Sequence, residues 1–326
     1  MCRACAGDKK NKLQKLPDVA YGKATGASVT CYPAREIFVS NRERFMREIH
    51  VSAIVDAVAG LAVSACCHLP RVLYESIRAA EARETSAAGR DVLQQLLVNA
   101  DIAREENMPI CQDTGLAVVF AEVGQDVHIV GGSFEDAVNR GVAKGYTEGY
   151  LRKSSVAEPL FERRNTGDNT PAVLHTRLVP GEHLRLRLAP KGAGSENKSA
   201  LKMLVPADGI EGVKRFVVDT VRTAGSSPCP PMVIGVGIGG NMELAALCAK
   251  RAAARDVNTC NPDPRYAALE EELLQLVNGL GTGPQGLGGN TTAFKVNVEF
   301  CATHIASLPV AVNINCHAAR HAEIVL

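Results

Sequence analysis

Three cysteines have sequence surroundings that suit a metal ligand. Cys111 follows a Pro-Ile pair, Cys229 lies inside a Pro-Cys-Pro-Pro run, and Cys316 precedes a histidine. Each is predicted to lie on a loop next to a strand, where a rigid scaffold commonly carries functional groups. Three loop thiolates could hold one soft metal centre and leave one metal position open to a substrate. No two of the three are close in sequence, so the spacing alone is a weak signal.

The other cysteines are better explained by packing. Cys66 and Cys67 end a predicted helix, Cys248 lies inside another, and Cys301 closes a predicted strand. Eleven cysteines in 326 residues do not indicate a disulfide framework, because such frameworks belong to small secreted domains. Scattered cysteines fit a reducing compartment, so we predict a cytoplasmic protein.

Polar candidates lie near the first cysteine and near the end of the chain. Asp113, two residues after Cys111, could contact a ligand of the metal or could cap its own loop. Arg152 would usually be solvated, although an arginine fork is the expected partner of a carboxylate substrate. His304 would more often be a core histidine than a catalytic one.

Charge and hydropathy limit the classes of partner. Lys plus Arg (36) nearly equal Asp plus Glu (35), so no overall basic field indicates nucleic acid or a membrane surface. We expect no apolar run to approach the roughly 18 residues that a membrane span needs, and therefore predict no membrane association.

Periodicity predicts an α/β fold of mixed sheets with flanking helices. Apolar residues recur at helical spacing in several segments and alternate in others. The predicted helices are 91–106, 133–149, 209–222, 242–255 and 263–278. The predicted strands are 116–123, 127–130, 183–189, 232–236, 293–300 and 309–314. Residues 152–170, 191–197 and 281–289 are predicted loops.

Residues 1–45 differ from the rest of the chain. They lack sustained apolar periodicity and are predicted to be a disordered extension, with Met46 opening the first amphipathic helix. Cys2 and Cys5 form a C-x-x-C, but no second pair stands at zinc-finger spacing.

The glycines of residues 235–240 match the pattern G-x-G-x-x-G. The pattern is predicted to follow a strand and to open a helix, as a dinucleotide site would require. The next segment, however, is a loop and supplies no acidic residue at the end of a second strand. Close packing of a helix on a strand is therefore the favoured interpretation of these glycines.

Taken together, the motifs resemble class I (iron–sulfur) fumarate hydratase, specifically its alpha subunit or N-terminal cluster domain, over about residues 46–326. The matching segments are MPICQDTG (108–115), LRKS (151–154), NTGDNTP (165–171), PKGAGSEN (190–197), CPP (229–231), GVGIGG (235–240), GPQGLGG (283–289), HIASLPV (304–310) and CHAAR (316–320).

The resemblance implies a [4Fe–4S] cluster that acts as a Lewis acid in the reversible hydration of fumarate to (S)-malate. It assigns the cluster ligands to Cys111, Cys229 and Cys316, on loops that converge on one cleft. It also implies that the substrate site and its catalytic groups come from five residues: Gln112, Asp113, Arg152, Gly194 and His304, of which Asp113 and His304 would be catalytic.

Two departures from the family pattern shape the expectation. Ala193 stands where the family usually has a third glycine. The sequence ends soon after Cys316, and it lacks the second half of the family's sequence, which carries the catalytic base. A separate beta subunit is therefore the expected partner, with a small dicarboxylate as substrate.

Two alternatives stay open at this point. The chain could be the alpha subunit of the related L(+)-tartrate dehydratase, since the sequence does not fix the choice of substrate. It could also be a non-catalytic iron–sulfur or regulatory binding protein, because the catalytic base is missing.

Overall fold

The molecule is built of helices and strands in mixed order, and the predicted mixed α/β class is confirmed. The structure is a computed structural model that describes residues 46–326; the predictions made for residues 1–45 lie outside the described residues. The elements of the first half are β1 (Arg47–His50), α1 (Val51–Cys67), α2 (Arg71–Arg83), α3 (Ala87–Glu105), β2 (Leu116–Gly124), β3 (Val127–Val130), α4 (Phe134–Glu148), β4 (Val173–Val179) and β5 (Leu184–Lys191). The elements of the second half are α5 (Ala193–Glu196), β6 (Ala200–Leu204), α6 (Gly209–Ala224), β7 (Met232–Gly239), α7 (Met242–Ala253), α8 (Pro264–Asn278), β8 (Ala293–Cys301), β9 (Leu308–Asn315) and β10 (Ala322–Val325).

The first four-stranded sheet has the order β10-β5-β2-β4. β2 runs parallel to β4 and antiparallel to β5, and β10 completes the edge antiparallel to β5. The alternation that predicted β5 faces the core: Leu184, Leu186 and Leu188 are fully buried in one cluster with residues of α1 and α4. The Cys111 loop precedes β2 of this sheet, and the glycine turn follows β5.

The second four-stranded sheet has the order β6-β9-β7-β8. Its central strand β7 is buried along its whole length and is covered by α7. A Cβ at Gly235 would lie 2.1 Å from the carbonyl oxygen of Ala249, and one at Gly237 would lie 2.0 Å from that of Ala245. The glycine motif lies mostly inside the strand, so its glycines allow the helix to pack closely there, as favoured from the sequence.

The strand directions determine which loops lie at each end of the second sheet. β8 is parallel to β7, with Met232 opposite Ala293 and Gly239 opposite Cys301. β9 is antiparallel to β7, so Val233 lies opposite Asn315. The chain before β7, before β8 and after β9 therefore meets at one end of the sheet, whereas the β8–β9 loop lies at the other.

Several boundaries differ from the prediction. The helix predicted to open at Met46 begins at Val51, because residues 47–50 form β1 and pair in parallel with β3. The last residue of β1, His50, caps the helix, and its ring accepts the amide of Ser52. The predicted turn at 191–197 contains the short helix α5. α2, β4, β6 and β10 were not predicted.

One helical stretch among the described residues, Val51–Arg83, is long and apolar enough to cross a membrane by length and composition alone, which corrects the statement that no such run exists. Its apolar window has a mean hydropathy of 1.7 and is 56% buried inside the protein. α1, which forms its first part, packs against α4 and β5, and the core helix of a soluble protein meets the same criterion.

Candidate active site

The Cys111 loop is held by hydrogen bonds on both of its sides. The amide of Ile110 donates to the carbonyl of Cys66 at the end of α1, at 2.9 Å. The side-chain amide of Asn99 in α3 donates to the carbonyl of Ile110, also at 2.9 Å. The residue before Cys111 is thus held by the end of α1 and by a side chain of α3.

Asp113 connects the Cys111 loop to the glycine turn after β5. Its backbone amide donates to the Cys111 sulfur at 3.4 Å, and its Oδ1 accepts the amide of Gly115 at 3.0 Å. Its Oδ2 accepts the amide of Ala193 at 2.9 Å. A Cβ at Gly194 would lie 3.8 Å from the carbonyl oxygen of Ser227, so the same turn also borders the Cys229 loop.

Cys229 takes up a left-handed backbone conformation, with φ of 55°, which is uncommon for a residue other than glycine. Its carbonyl accepts the backbone amide of His317 at 3.1 Å, which joins it to the loop after Cys316. The glycine-rich loop before β8 supports the same segment: the backbone and side-chain amides of Gln285 donate to the carbonyl of Pro230 at 2.8 and 3.0 Å. Backbone strain at a residue held this firmly is typical of functional positions.

Cys316 packs against the first cysteine loop. It borders a small apolar cluster formed by Ala103, Ile110 and Ala318. Burial raises the pKa of the Cys316 thiol, and the charges of Arg320 and Lys191 act in the opposite direction. The backbone amide of Ala318 also lowers this pKa, and at the first loop the amide of Asp113 donates to the Cys111 sulfur.

The three cysteine loops therefore meet at one place. Burial raises the pKa of Cys229 as well as that of Cys316, and the charge of Cys111 acts on both in the same direction, as expected of neighbouring thiols. Within residues 46–326 no three His, Cys, Asp or Glu side chains are close enough to hold a single metal ion. In a [4Fe–4S] cluster each thiolate ligand binds a different iron, so its cysteines do not have to converge on one ion.

Arg152 and Gln112 are exposed beside these loops. The carbonyl of Arg152 accepts the hydroxyl of Thr114 at 2.8 Å. Asn169 links the same segment to the first loop, accepting from the Ser154 amide and donating to the Gly115 carbonyl. The segment after α4 is thus held to the Cys111 loop, and the guanidinium of Arg152 is exposed and forms no ion pair with a residue of 46–326.

His304 is not brought to the cysteines within the chain. It lies in the β8–β9 loop, where the hydroxyl of neighbouring Thr303 donates to the carbonyl of Gly240 at the far end of β7. β7 has eight residues and spans roughly 25 Å, and Cys229 precedes its opposite end. The predicted role of His304 in the substrate site remains a prediction, and it requires that another chain supply the histidine.

Two buried cations near the thiols were not singled out from the sequence. The ammonium of Lys191 donates to Ser195 Oγ and to the carbonyl of Ile314, each at 2.8 Å, and lies 3.1 Å from a carboxylate oxygen of Glu196. Burial lowers its pKa to about 8, although Glu196 opposes this shift. Arg320 is 5% exposed, and its Nη2 donates to the carbonyl of Asp113. The only sequence signal was their place in the segments PKGAGSEN and CHAAR.

The cysteines that were assigned to packing lie as predicted. Cys66 and Cys67 are buried at the end of α1. Cys248 and Cys301 face each other with sulfurs 3.7 Å apart, at the end of the second sheet that is remote from Cys229.

The sequence of this chain is similar to those of known proteins along most of its length. A family model described as "Fumarate hydratase (Fumerase)" matches residues 55–325. A protein of Methanocaldococcus jannaschii, provisionally named L(+)-tartrate dehydratase subunit alpha, is 40% identical over 278 residues, which cover 82% of this chain and 96% of that protein. The L(+)-tartrate dehydratase subunit alpha of Escherichia coli strain K12 is 30% identical over 280 residues, covering 85% and 91%. The protein of that name from Escherichia coli strain UTI89 is 31% identical over 274 residues, covering 83% and 89%.

Proposed function

The chain belongs to the fumarate hydratase (Fumerase) family and is a hydro-lyase, and from this premise we propose that it is the alpha subunit of an iron–sulfur enzyme that interconverts fumarate and (S)-malate. The observation that carries the proposal is the meeting of three cysteine loops at one end of the second sheet. The carbonyl of Cys229 accepts the amide of His317, Cys316 packs against the cluster around Ile110, and Asp113 joins the glycine turn to the Cys111 loop.

The thiols of Cys111, Cys229 and Cys316 would hold a [4Fe–4S] cluster. Bound there, the cluster would supply a Lewis acid through an iron that has no protein ligand. The residues present fit such a group: thiolates are soft ligands, Cys111 accepts a backbone N–H, and the buried charge of Arg320 acts on the Cys316 thiol.

The chain's own polar groups would bind and orient a dicarboxylate. The exposed guanidinium of Arg152 offers a bidentate partner for a carboxylate, and the exposed amide of Gln112 offers a second donor. Gly194 lets the backbone come close to a ligand without a side chain in the way. The carboxylate of Asp113 has acceptor capacity left after its two backbone hydrogen bonds, so it can also contact substrate.

A beta subunit would complete the enzyme. The relatives that match this chain carry the name subunit alpha, which supports a second polypeptide as partner. We propose that the partner supplies the catalytic base and further cationic groups for the substrate carboxylates, and that the enzyme works in the cytoplasm. All eight cysteines of the described chain are free thiols, as a reducing compartment requires.

L(+)-tartrate is the second candidate substrate, and the names of the relatives favour it. Tartrate differs from malate by one hydroxyl group, so the carboxylate partners proposed above would serve either substrate. A single hydroxyl is discriminated by the polar groups that face it, and those of the partner subunit contribute to that choice.

The function is tested by co-expressing the chain with a candidate beta subunit without oxygen and assaying fumarate, (S)-malate, mesaconate and L(+)-tartrate. We expect hydration of fumarate and dehydration of malate. Turnover of tartrate alone would replace fumarate by tartrate as the substrate. A full cluster with no activity on any of the four would favour the non-catalytic binding protein.

The ligand set is tested separately by changing single cysteines to serine. Cys111→Ser, Cys229→Ser and Cys316→Ser should each lose the brown absorbance of the reconstituted cluster, because serine oxygen replaces a thiolate poorly at iron. Cys248→Ser is the matched control, since this thiol lies in α7 away from the three loops, and it should keep the absorbance. Any of the first three variants that retains a full cluster would remove that cysteine from the ligand set.

A further inference from the structure

Arg320 is a buried cation whose donors are only partly used. It is 5% exposed, and the hydrogen bond that it makes, from Nη2, goes to the backbone carbonyl of Asp113 rather than to a carboxylate. Its Nε and Nη1 are buried and have no hydrogen-bond partner among the atoms of residues 46–326. A buried guanidinium with unused N–H groups is unfavourable, because it has lost water without gaining acceptors.

Other buried charges of the chain show what a satisfied cation looks like. Arg255 is also largely buried, and it pairs with Glu270 at 3.0 Å and with Glu299 at 2.9 Å. Lys191 pairs with Glu196 and has two further acceptors. Arg320 differs from both, since the structure gives it a carbonyl and no anion. The pattern indicates an anionic partner other than a side chain of the described residues.

The location of Arg320 identifies that partner by its chemistry. The residue follows Cys316 by four positions, its amide donates to the carbonyl of Ala318 at 2.8 Å, and its charge lowers the pKa of the Cys316 thiol. Through Nη2 it also contacts Asp113, whose amide donates to the Cys111 sulfur. The guanidinium therefore lies between the loops of two of the three thiols.

We propose that Arg320 is the cation that balances the charge of the iron–sulfur centre and that its unused N–H groups serve the sulfur atoms of that centre. The inference rests on the proposed function, since it needs a cluster at Cys111, Cys229 and Cys316. Thiolates and sulfides are anionic acceptors, and hydrogen bonds and positive charge at the sulfurs raise the reduction potential of a cluster and help retain its iron. Arg320 would thus act on the cluster and not on the substrate, while its Nη2 contacts the carbonyl of Asp113.

A purely structural role would have a different signature. If Arg320 only tied the segment after β9 to the Cys111 loop, removing it would weaken the chain with or without iron. If its unused donors serve the cluster, the same removal weakens the loaded chain while relieving the metal-free chain of a buried, unpaired charge. A structural role therefore predicts a less stable metal-free protein, and a role toward the cluster predicts one that is no less stable.

The test compares Arg320→Gln and Arg320→Lys with the wild type in the full chain, metal-free and after anaerobic reconstitution with iron and sulfide. We expect Arg320→Gln to lower the reduction potential and to release iron to a chelator about tenfold faster, as changes around a metal site commonly do. In the metal-free form its urea midpoint should be unchanged or higher. Arg320→Lys keeps the charge and should retain a potential closer to that of the wild type.

Arg255→Gln is the matched control, because it removes a buried arginine whose acceptors are protein carboxylates. It should lower the urea midpoint of both forms and leave the reduction potential unchanged. The inference is overturned if Arg320→Gln behaves like this control. A wild-type chain that takes up no iron and sulfide would instead overturn the proposed function, and the inference with it, and is recognised before any variant is measured.

Discussion

Asp113 holds two segments together with one carboxylate. Oδ1 accepts the amide of Gly115 at 3.0 Å and Oδ2 accepts that of Ala193 at 2.9 Å, so the residue caps its loop and fixes the turn after β5. Its backbone serves Cys111 and Arg320. The capping role that the sequence suggested is thus present, and the lone pairs that remain leave room for the predicted catalytic role.

We predict that Asp113→Asn separates these roles. The amide has the shape of the carboxylate but must turn its NH₂ toward Gly115 or Ala193, so one hydrogen bond is lost at a cost of about 1–3 kcal/mol. If the carboxylate moves a proton, kcat/KM falls about 10²–10⁴-fold while the cluster absorbance persists. Asp263→Asn, which changes the cap of α8, is the control and should leave kcat/KM unchanged. Wild-type kcat/KM in Asp113→Asn would reduce Asp113 to a capping residue.

Lys191 is charged and buried, and its protonation depends on folding. Burial lowers its pKa to about 8, whereas a lysine in an unfolded chain has a pKa of about 10.4. Between these two values the folded chain binds fewer protons than the unfolded chain. The free energy of unfolding contributed by Lys191 therefore increases as the pH rises through this window.

We predict that Lys191→Met removes this dependence. From pH 7 to pH 10.5 the difference in free energy of unfolding, wild type minus variant, should increase by at most about 3 kcal/mol. Urea unfolding of both proteins at the two pH values measures the gain. Lys144→Met is the control, because Lys144 lies on the surface and its hydrogen bond with Asp56 raises its pKa, so the wild type should not become more stable than this variant as the pH rises through the same window. A constant difference between wild type and Lys191→Met would mean that the ammonium is not desolvated as the structure indicates.

At the scale of elements, the contact between β7 and α7 depends on residues without a Cβ. A Cβ on Gly237 would lie 2.0 Å from the carbonyl of Ala245, which is backbone and cannot move without shifting the helix. Gly60, inside α1, has no atom within 4 Å of such a Cβ. The two glycines are therefore a matched pair, one required by packing and one not.

We predict that Gly237→Ala lowers the free energy of unfolding by about 1–3 kcal/mol or more, because a packed interface must separate. Gly60→Ala should raise it by about 0.5–1 kcal/mol, because alanine favours the helix. Thermal or urea unfolding of both variants measures the contrast. A stable Gly237→Ala protein would remove the packing explanation and reopen the dinucleotide interpretation of the glycine motif.

The elements that were predicted are those whose pattern is local. β5 alternates buried leucines, and α4 is preceded by its N-cap Ser133, whose hydroxyl accepts the amide of Asp136. β6 has no such pattern, since Met203 is 50% exposed, and it exists because its backbone pairs with β9. β1 depends in the same way on β3, about 80 residues further on. Pairing with a distant strand leaves no periodicity in the sequence.

The residues of the site differ in the same way, since only those with a local sequence signal could be predicted. The three cysteines stand next to prolines or strand ends, so their loop setting could be recognised locally, and the contacts between the loops agree with a common site. Lys191 and Arg320 look like surface residues in the sequence. They are buried only because β5 and β9 end side by side, which the order of the strands in two sheets determines.

At the scale of the whole molecule, the two ends of the second sheet divide the predicted site. Cys229 and Cys316 lie at one end of β7, and His304 lies beyond the other, roughly 25 Å away. A histidine so placed cannot contact a ligand held at the cysteines of its own chain. If it serves a substrate site, it serves one in a neighbouring copy.

Mixing two inactive variants tests this arrangement. We expect Cys111→Ser, which lacks the cluster but keeps His304, and His304→Ala, which keeps the cluster, to be nearly inactive when each is expressed alone with the beta subunit. Co-expressed, they should regain part of the wild-type activity, because a mixed assembly places an intact cluster loop beside an intact histidine. Cys111→Ser with Asp113→Asn is the matched control, since both changes affect one loop and cannot complement one another across two chains if His304 alone is shared. Full activity of His304→Ala alone would remove the histidine from the site, and an inactive first mixture would place its role within its own chain, against the strand register.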